Sequence, residues 1–264
     1  MPILAYAGGK TKLLPDLLAR MPVTFNRYFE PFIGGGALFF HLAPVAAIIG
    51  DYNDDLMKMY QTVSEDPDGV MRKLDGHCKK HDDKEYYKKV RAKWNKWAHA
   101  DPVSRAAEFI YLNKAGYNGL HRVNAKGELN TPRGDRKASG IYDREQVLFV
   151  ADILGRTFMH SGDYRKTTAK ARKGDFCYMD SPYDGTFTAY TNSPFGKEQQ
   201  VELAAHAKAL HEKGVKVMLS NSDTPFIRDL YKAFEIDTVK CARNVSCDGK
   251  KRGKVNELII RTYT

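Results

Sequence analysis

The residues best suited to chemistry are Asp180-Ser181-Pro182-Tyr183, which directly follow the apolar run Phe176-Cys177-Tyr178-Met179. That run reads as a buried strand, so the tetrapeptide stands at its C-terminal end, where ligands bind in open α/β sheets. A carboxylate, a proline-stiffened turn and an aromatic ring are together suited to gripping a planar nitrogenous ring by its exocyclic amine. The same four residues also make an ordinary strand-to-turn transition, because Asp and Pro favour turns. The rest of the chain has to decide between these readings.

Two glycine-bearing segments bear on a cofactor. Phe32-Ile33-Gly34-Gly35-Gly36 lies between strand-like Arg27-Tyr28-Phe29 and helical Ala37-Leu38-Phe39-Phe40. Glycines at such a turn let the backbone approach a ligand closely. Asp51 closes the next apolar strand, Ala46-Ala47-Ile48-Ile49, and a strand-end carboxylate there can bind the two hydroxyls of a ribose. Ala7-Gly8-Gly9-Lys10-Thr11 differs from a nucleotide-binding P-loop, since Leu4 stands where that motif needs a glycine. A helix start with Lys10 can still receive a carboxylate.

The elements that must position these residues fall into three regions. The first runs to about residue 55, and the last, from about residue 145, alternates strands (156–159, 175–179, 215–219) with helices. In the helix at 197–213, Val201, Leu203, Ala204, Ala207 and Leu210 form the predicted apolar stripe, closed by Gly214. Thr224-Pro225 is a helix start with Thr as the cap. Alternation of this kind predicts an α/β sheet with helices on both faces. The middle region is helical instead. Tyr87, Val90, Trp94 and Trp97 make one stripe, with Lys84, Lys88, Lys89, Arg91, Lys93 and Lys96 around it, and a second helix over 103–115 ends at Gly116.

Charge follows the same division. The 264 residues carry a net charge of +10, and residues 56–144 hold 19 Lys/Arg against 12 Asp/Glu, most of the surplus. That concentration favours a polyanionic partner such as nucleic acid. No apolar run approaches a membrane span, and the start shows no secretion-signal pattern. The four cysteines show no metal-site spacing. These features predict a cytoplasmic chain that needs no metal.

Taken together the motifs resemble the N6-adenine DNA methyltransferases of the Dam type, the D12 class or α-group. Tyr6-Ala7-Gly8-Gly9-Lys10 is similar to the family's N-terminal cofactor motif and Glu30-Pro31-Phe32-Ile33-Gly34-Gly35-Gly36 to its glycine-rich motif. Asp51-Tyr52-Asn53 resembles the ribose-binding segment, Asp163-Tyr164 the adenine-reading segment, and Asp180-Ser181-Pro182-Tyr183 the catalytic motif. Asn113-Lys114-Ala115-Gly116-Tyr117-Asn118-Gly119-Leu120-His121-Arg122 is similar to the DNA-reading hairpin. Residues 127–132, 187–193 and 220–224 match in the family's order as well.

The resemblance implies a Rossmann-like methyltransferase mixed sheet formed by residues 1–55 and 145–264. It implies a mainly helical DNA-recognition domain with a β-hairpin, inserted at 56–144. The implied cofactor is S-adenosyl-L-methionine, held by residues of those motifs: Tyr6, Ala7, Gly8, Gly9, Lys10, Glu30, Phe32, Gly34, Gly36, Asp51, Asn53, Asp163, Tyr164 and Asp180. The implied partner is double-stranded DNA, met by a monomer through Tyr117, Asn118, Leu120, Arg122, Asn124, Pro132 and Arg133. The adenine is extruded from the duplex and stacked on Tyr183, while Asp180 and the carbonyl of Ser181 accept its amino protons. Arg122 is the expected guanine reader.

Two residues depart from the family pattern: Ser181 where a proline is usual, and Ala5 where a lysine commonly contacts the outer guanine. The expectation is a looser catalytic turn and relaxed outer-base readout at a GATC-like site. Basic residues of 243–254 are expected to close over DNA phosphates. The open alternatives are amino-group methylation on RNA or protein, and an inactive DNA-binding homologue.

Overall fold

A computed structural model describes residues 2–5, 9–96, 101–120, 122–124, 126–185, 195–242 and 254–264. Tyr6, Ala7, Gly8, Trp97, His121, and the segments 186–194 and 243–253, all named above, lie outside the described residues. The frame is a seven-stranded sheet of β1 (Tyr28–Glu30), β2 (Ala47–Asp51), β3 (Thr157–Ser161), β4 (Phe176–Met179), β5 (Lys216–Ser222), β6 (Glu235–Ala242) and β7 (Lys254–Arg261), in the order β3-β2-β1-β4-β5-β7-β6. β1 to β5 pair in parallel, and β7 runs antiparallel between β5 and β6. The strand order reverses between β1 and β4, which opens a crevice beyond their carboxyl ends.

Helices cover both faces, as predicted. On the central strands successive residues alternate between two cores: Tyr28, Phe176 and Tyr178 join one cluster, Phe29, Cys177 and Met179 the other. This is the period-2 pattern of a sheet buried on both sides, and it explains why β1 and β4 read as unbroken apolar runs. The second core is closed by α9 (Lys197–Glu212) through Leu203, Ala204, Ala207 and Leu210. Val201, assigned to that stripe from the sequence, is instead 49% exposed. Gln200 takes the inward position, because the helix presents 200, 203, 204, 207 and 210 to the sheet.

The first core is shared with the insertion. α3 (Asp54–Glu65) packs on β2, β3 and α7 (Arg144–Gly155), and equally on α4 (Pro67–Lys79) and α6 (Pro102–Ala115). Apolar contact therefore runs continuously from Ile49 through Tyr60 to Tyr87, Trp94 and Phe109, where α5 (Lys84–Lys96) lies on α6. Side-chain caps start these helices: Asn53 accepts from Leu56 N, Asp66 from Gly69 N, Asp101 from Ser104 N and Asp143 from Gln146 N. Pro67 and Pro102 follow two of the caps, where the missing N–H costs nothing. Thr224 caps α10 (Pro225–Leu230) as expected.

The segment expected to form the hairpin begins on a helix and continues as an irregular antiparallel pair. Asn113, Lys114 and Ala115 complete α6, and Tyr117–Gly119 is a single 3-10 turn. The antiparallel pairing rests on two isolated bridges, Gly116↔Arg133 and Val123↔Leu129, with Asn130 N donating to Arg122 O. Asn124 folds the tip by accepting from Lys126 N and Glu128 N.

The two strands that flank the crevice are tied at their entry ends. Asp175, fully buried, accepts from Arg27 Nε at 3.2 Å and Nη2 at 2.7 Å. Arg27→Ala is expected to destabilise the fold by about 3 kcal/mol, the low end for a broken buried pair because the guanidinium is partly exposed. Urea unfolding at neutral pH measures it. A loss under about 1 kcal/mol would show that the pair does not brace β1 against β4.

Candidate active site

Glycines at 34 and 36 adopt φ of 46° and 67°, a region costly for other residues. A Cβ on Gly36 would fall 2.6 Å from the Phe40 ring, so the loop can turn into α2 (Ala37–Leu42) only as glycine. Asp51 holds the loop from the neighbouring strand: Oδ2 accepts from Gly34 N and Oδ1 from Asn53 N, both at 2.9 Å. Burial raises the Asp51 pKa, and those backbone donors offset the rise. Each carboxylate oxygen retains acceptor capacity beyond its one backbone bond. Asn53 itself is committed to capping α3. At the end of β1, Glu30 is buried, accepts from Tyr28 Oη at 2.6 Å and is pushed well up by burial.

Across the loop, Phe32 and Tyr164 stack with centroids 5.3 Å apart. Asp163 caps the short helix α8 (Tyr164–Thr168), and the Tyr164 hydroxyl is buried without a partner. A strand-end acid beside glycine N–H groups, a stacked aromatic pair and an unsatisfied buried hydroxyl together suit a nucleoside. The sequence-predicted residues from 30 to 53 and 163 to 164 are thus brought to one side of the crevice.

On the other side, Asp180 receives the Lys10 ammonium at 2.8 Å. The same ammonium lies 4.6 Å from the centroid of the Tyr183 ring. Lys10, expected to face a cofactor carboxylate, here engages the catalytic motif. Burial raises the Asp180 pKa, the Lys10 charge opposes that rise, and Glu257 adds to it. Tyr183 is itself buried and donates its hydroxyl to Glu257 Oε2 at 3.0 Å.

The turn at 180–184 is clamped from outside. Gln200 Nε2 donates to Pro182 O, and Asn221 Nδ2 donates to Gln200 Oε1. Asn221 Oδ1 accepts from Asp184 N, Ser222 Oγ donates to Asp184 O, and Thr224 Oγ1 donates to Asp184 Oδ2. These contacts constrain the turn in which Ser181 replaces the family's usual proline. The Ser181 hydroxyl is buried without a hydrogen-bond partner.

Sequence reasoning did not single out Gln200 or Glu257. The only sequence signal for Gln200 is a polar residue in phase with the stripe of α9. Glu257 is a charge directly before the apolar run Leu258-Ile259-Ile260 of β7.

Of the residues expected at DNA, Tyr117, Asn118, Arg122 and Pro132 are exposed around one turn. Tyr117 N donates to Pro132 O, which joins the two sides of that turn, and Asn118 sits at φ 53°. Arg122 Nε donates to Asn130 Oδ1 at 2.7 Å. Two residues point inward instead. Leu120 lines a small apolar cavity with Trp94, Phe109, Leu112, Asn113 and Leu129, and Arg133 Nη2 donates to His81 O at 2.9 Å.

Among the described residues no group of three or more His, Cys, Asp or Glu is placed to hold a metal ion. No helix among them is long and apolar enough to cross a membrane.

Comparison with known proteins agrees with this geometry. The profile of the D12 class N6 adenine-specific DNA methyltransferases matches residues 6–245. The Type II methyltransferase M1.LlaDCHI of Lactococcus lactis subsp. cremoris is 38% identical over 271 residues, covering 99% of this chain and 95% of that protein. M.MjaIII, a Type II methyltransferase of Methanocaldococcus jannaschii, is 36% identical, covering 99% of each chain. The DNA adenine methylase of Escherichia coli (strain K12) is 34% identical, covering 97% of this chain and 93% of that protein. The chain belongs to the D12 class of N6 adenine-specific DNA methyltransferases.

Proposed function

We propose that the protein, acting as a monomer, methylates N6 of an adenine extruded from duplex DNA at a GATC-like site, using S-adenosyl-L-methionine. The observation that carries this reading is the Lys10 ammonium, seated on Asp180 and over the Tyr183 ring. A nitrogen donor thereby occupies both recognition features that an adenine amino group needs. The residues around Gly34, Asp51 and the Phe32–Tyr164 stack fit the nucleoside part of the cofactor, and Lys10 fits its carboxylate. When bound, that cofactor supplies an electrophilic methyl group on a sulfonium.

The protein's own contribution is alignment. Asp180 accepts an amino proton and orients the nitrogen, Tyr183 holds the base plane, and the clamp on 180–184 fixes both before the base arrives. The basic insertion at 56–144 supplies the DNA-facing surface, with the turn around Tyr117 and Asn118 filling the space left by the base. Ala5 lacks a charged side chain for the outer guanine, which supports relaxed readout there.

Incubation with unmethylated duplex and cofactor, followed by single-molecule mapping of modified bases, tests the assignment. N6-methyladenine is expected within one short motif, and Asp180→Ala should abolish transfer while DNA binding persists. Absence of the modified base with wild-type protein would sink the reading.

The half-buried Asp180 accepts the amino hydrogen bond best as a carboxylate, and desolvation raises its pKa. Single-turnover transfer at saturating cofactor should therefore fall, as pH drops, above the ordinary aspartate value of ~3.9. Lys10→Met removes the opposing charge and should move that acid limb to still higher pH. An unmoved limb would mean that Asp180 does not control it.

For Arg122→Ala, discrimination at one base pair should weaken by ~1–3 kcal/mol, measured on duplexes substituted at each position. Uniform loss across all sequences would instead mark a phosphate contact.

A further inference from the structure

Asn113, in the last turn of α6, is 5% exposed and commits both ends of its amide. Its Oδ1 accepts from Ala5 N at 2.9 Å, and its Nδ2 donates to Ala5 O at 2.7 Å and to Gly119 O at 3.0 Å. Pairing with the N–H and C=O of one residue fixes that residue's orientation as a strand neighbour would. The third bond adds the turn that exposes Tyr117 and Asn118.

Gly119 makes the contact intimate. It sits at φ 65°, and a Cβ there would fall 2.4 Å from Ala5 Cβ and 2.8 Å from Ala5 O. The two segments touch backbone to backbone, with no side chain between them to absorb a shift. The segment before Ala5 is held as well: Ile3 and Leu4 are buried, and Gln146 Nε2 donates to Pro2 O at 2.8 Å. Beyond Ala5 the chain leads to Lys10, whose ammonium rests on Asp180. A displacement of the 117–120 turn therefore bears directly on Ala5, five residues before Lys10 in the chain.

We infer that Asn113 is a positioning residue that couples the 117–120 turn to Ala5, upstream of Lys10 in the chain, so that duplex DNA held at the turn tightens cofactor binding. The inference rests on the proposed function for the assignment of DNA to the turn and of cofactor to the crevice. Coupling of this kind is reciprocal, so cofactor must tighten DNA binding by the same factor.

The test is calorimetric titration of S-adenosylhomocysteine into the full-length protein, with and without a duplex carrying the methylation site mapped for it. Wild-type protein should bind the nucleoside about five-fold or more tightly when the duplex is present, the lower end of typical coupling. Asn113→Ala should bring that ratio close to one while each ligand alone still binds. Gly119→Ala, which leaves α6 and the amide intact but forces the turn away from Ala5, should also bring the ratio close to one, whatever its effect on DNA affinity alone, and covers the case in which Asn113→Ala does not fold. Asn113→Asp keeps the acceptor for Ala5 N and loses the two donated bonds, so an intermediate ratio is expected.

A wild-type ratio of one, or variants that keep the full wild-type ratio, would overturn the inference. So would variants that lose affinity for each ligand alone and for the pair by one common factor, since a merely structural residue behaves that way. Wild-type protein that binds neither DNA nor nucleoside would overturn the functional reading itself, a result distinct from two intact affinities without coupling.

Discussion

Carboxylates withdrawn from water at the ends of strands are the constraint around which this molecule is built. Glu30, Asp51 and Asp180 close β1, β2 and β4 at one crevice, and Glu257 reaches it from β7. Removing such groups from solvent is costly unless each finds a donor. Each has a specific one: Tyr28 Oη for Glu30, the backbone at 34 and 53 for Asp51, Lys10 for Asp180, and Tyr183 Oη for Glu257. The Tyr183 hydroxyl, on the strand-end tetrapeptide itself, is thus one of the donors that make the acids tolerable. A crevice lined this way favours positive charge and N–H donors.

The scaffold serves that constraint by fixing strand ends from several directions. Arg27 and Asp175 tie β1 to β4 where both enter the sheet, and the side chains at 200, 221, 222 and 224 hold the turn where β4 leaves it. The rigidity that the family's second proline would lend the turn is here supplemented by hydrogen bonds from α9 and from the segment at the end of β5. On the other core, α3 packs both on the sheet side, against β2, β3 and α7, and on the helices α4 and α6.

Much of this was legible in the amino-acid sequence because it depends on local pattern. The runs at 47–51 and 176–179 announced buried strands, the glycines at 34 and 36 a tight strand-to-helix turn, and Thr224-Pro225 a capped helix. Val201 misled because a helical stripe read one residue out of phase differs only in which end residue is counted. The destination of the Lys10 ammonium, the Glu257 partner of Tyr183 and the three bonds of Asn113 were not legible. Each joins positions far apart in sequence through a rotamer that the packed fold selects, and periodicity carries no information about that.

β7 is the last strand in chain order, yet it lies inside the sheet between β5 and β6. It contributes Leu258, Ile259 and Ile260 to the two cores and Glu257 to Tyr183. Local opening of that strand would remove the hydroxyl's partner in the same event that breaches the cores. Order in the sheet and order around Tyr183 are therefore lost in one transition, so the crevice cannot loosen while the frame behind it stays intact.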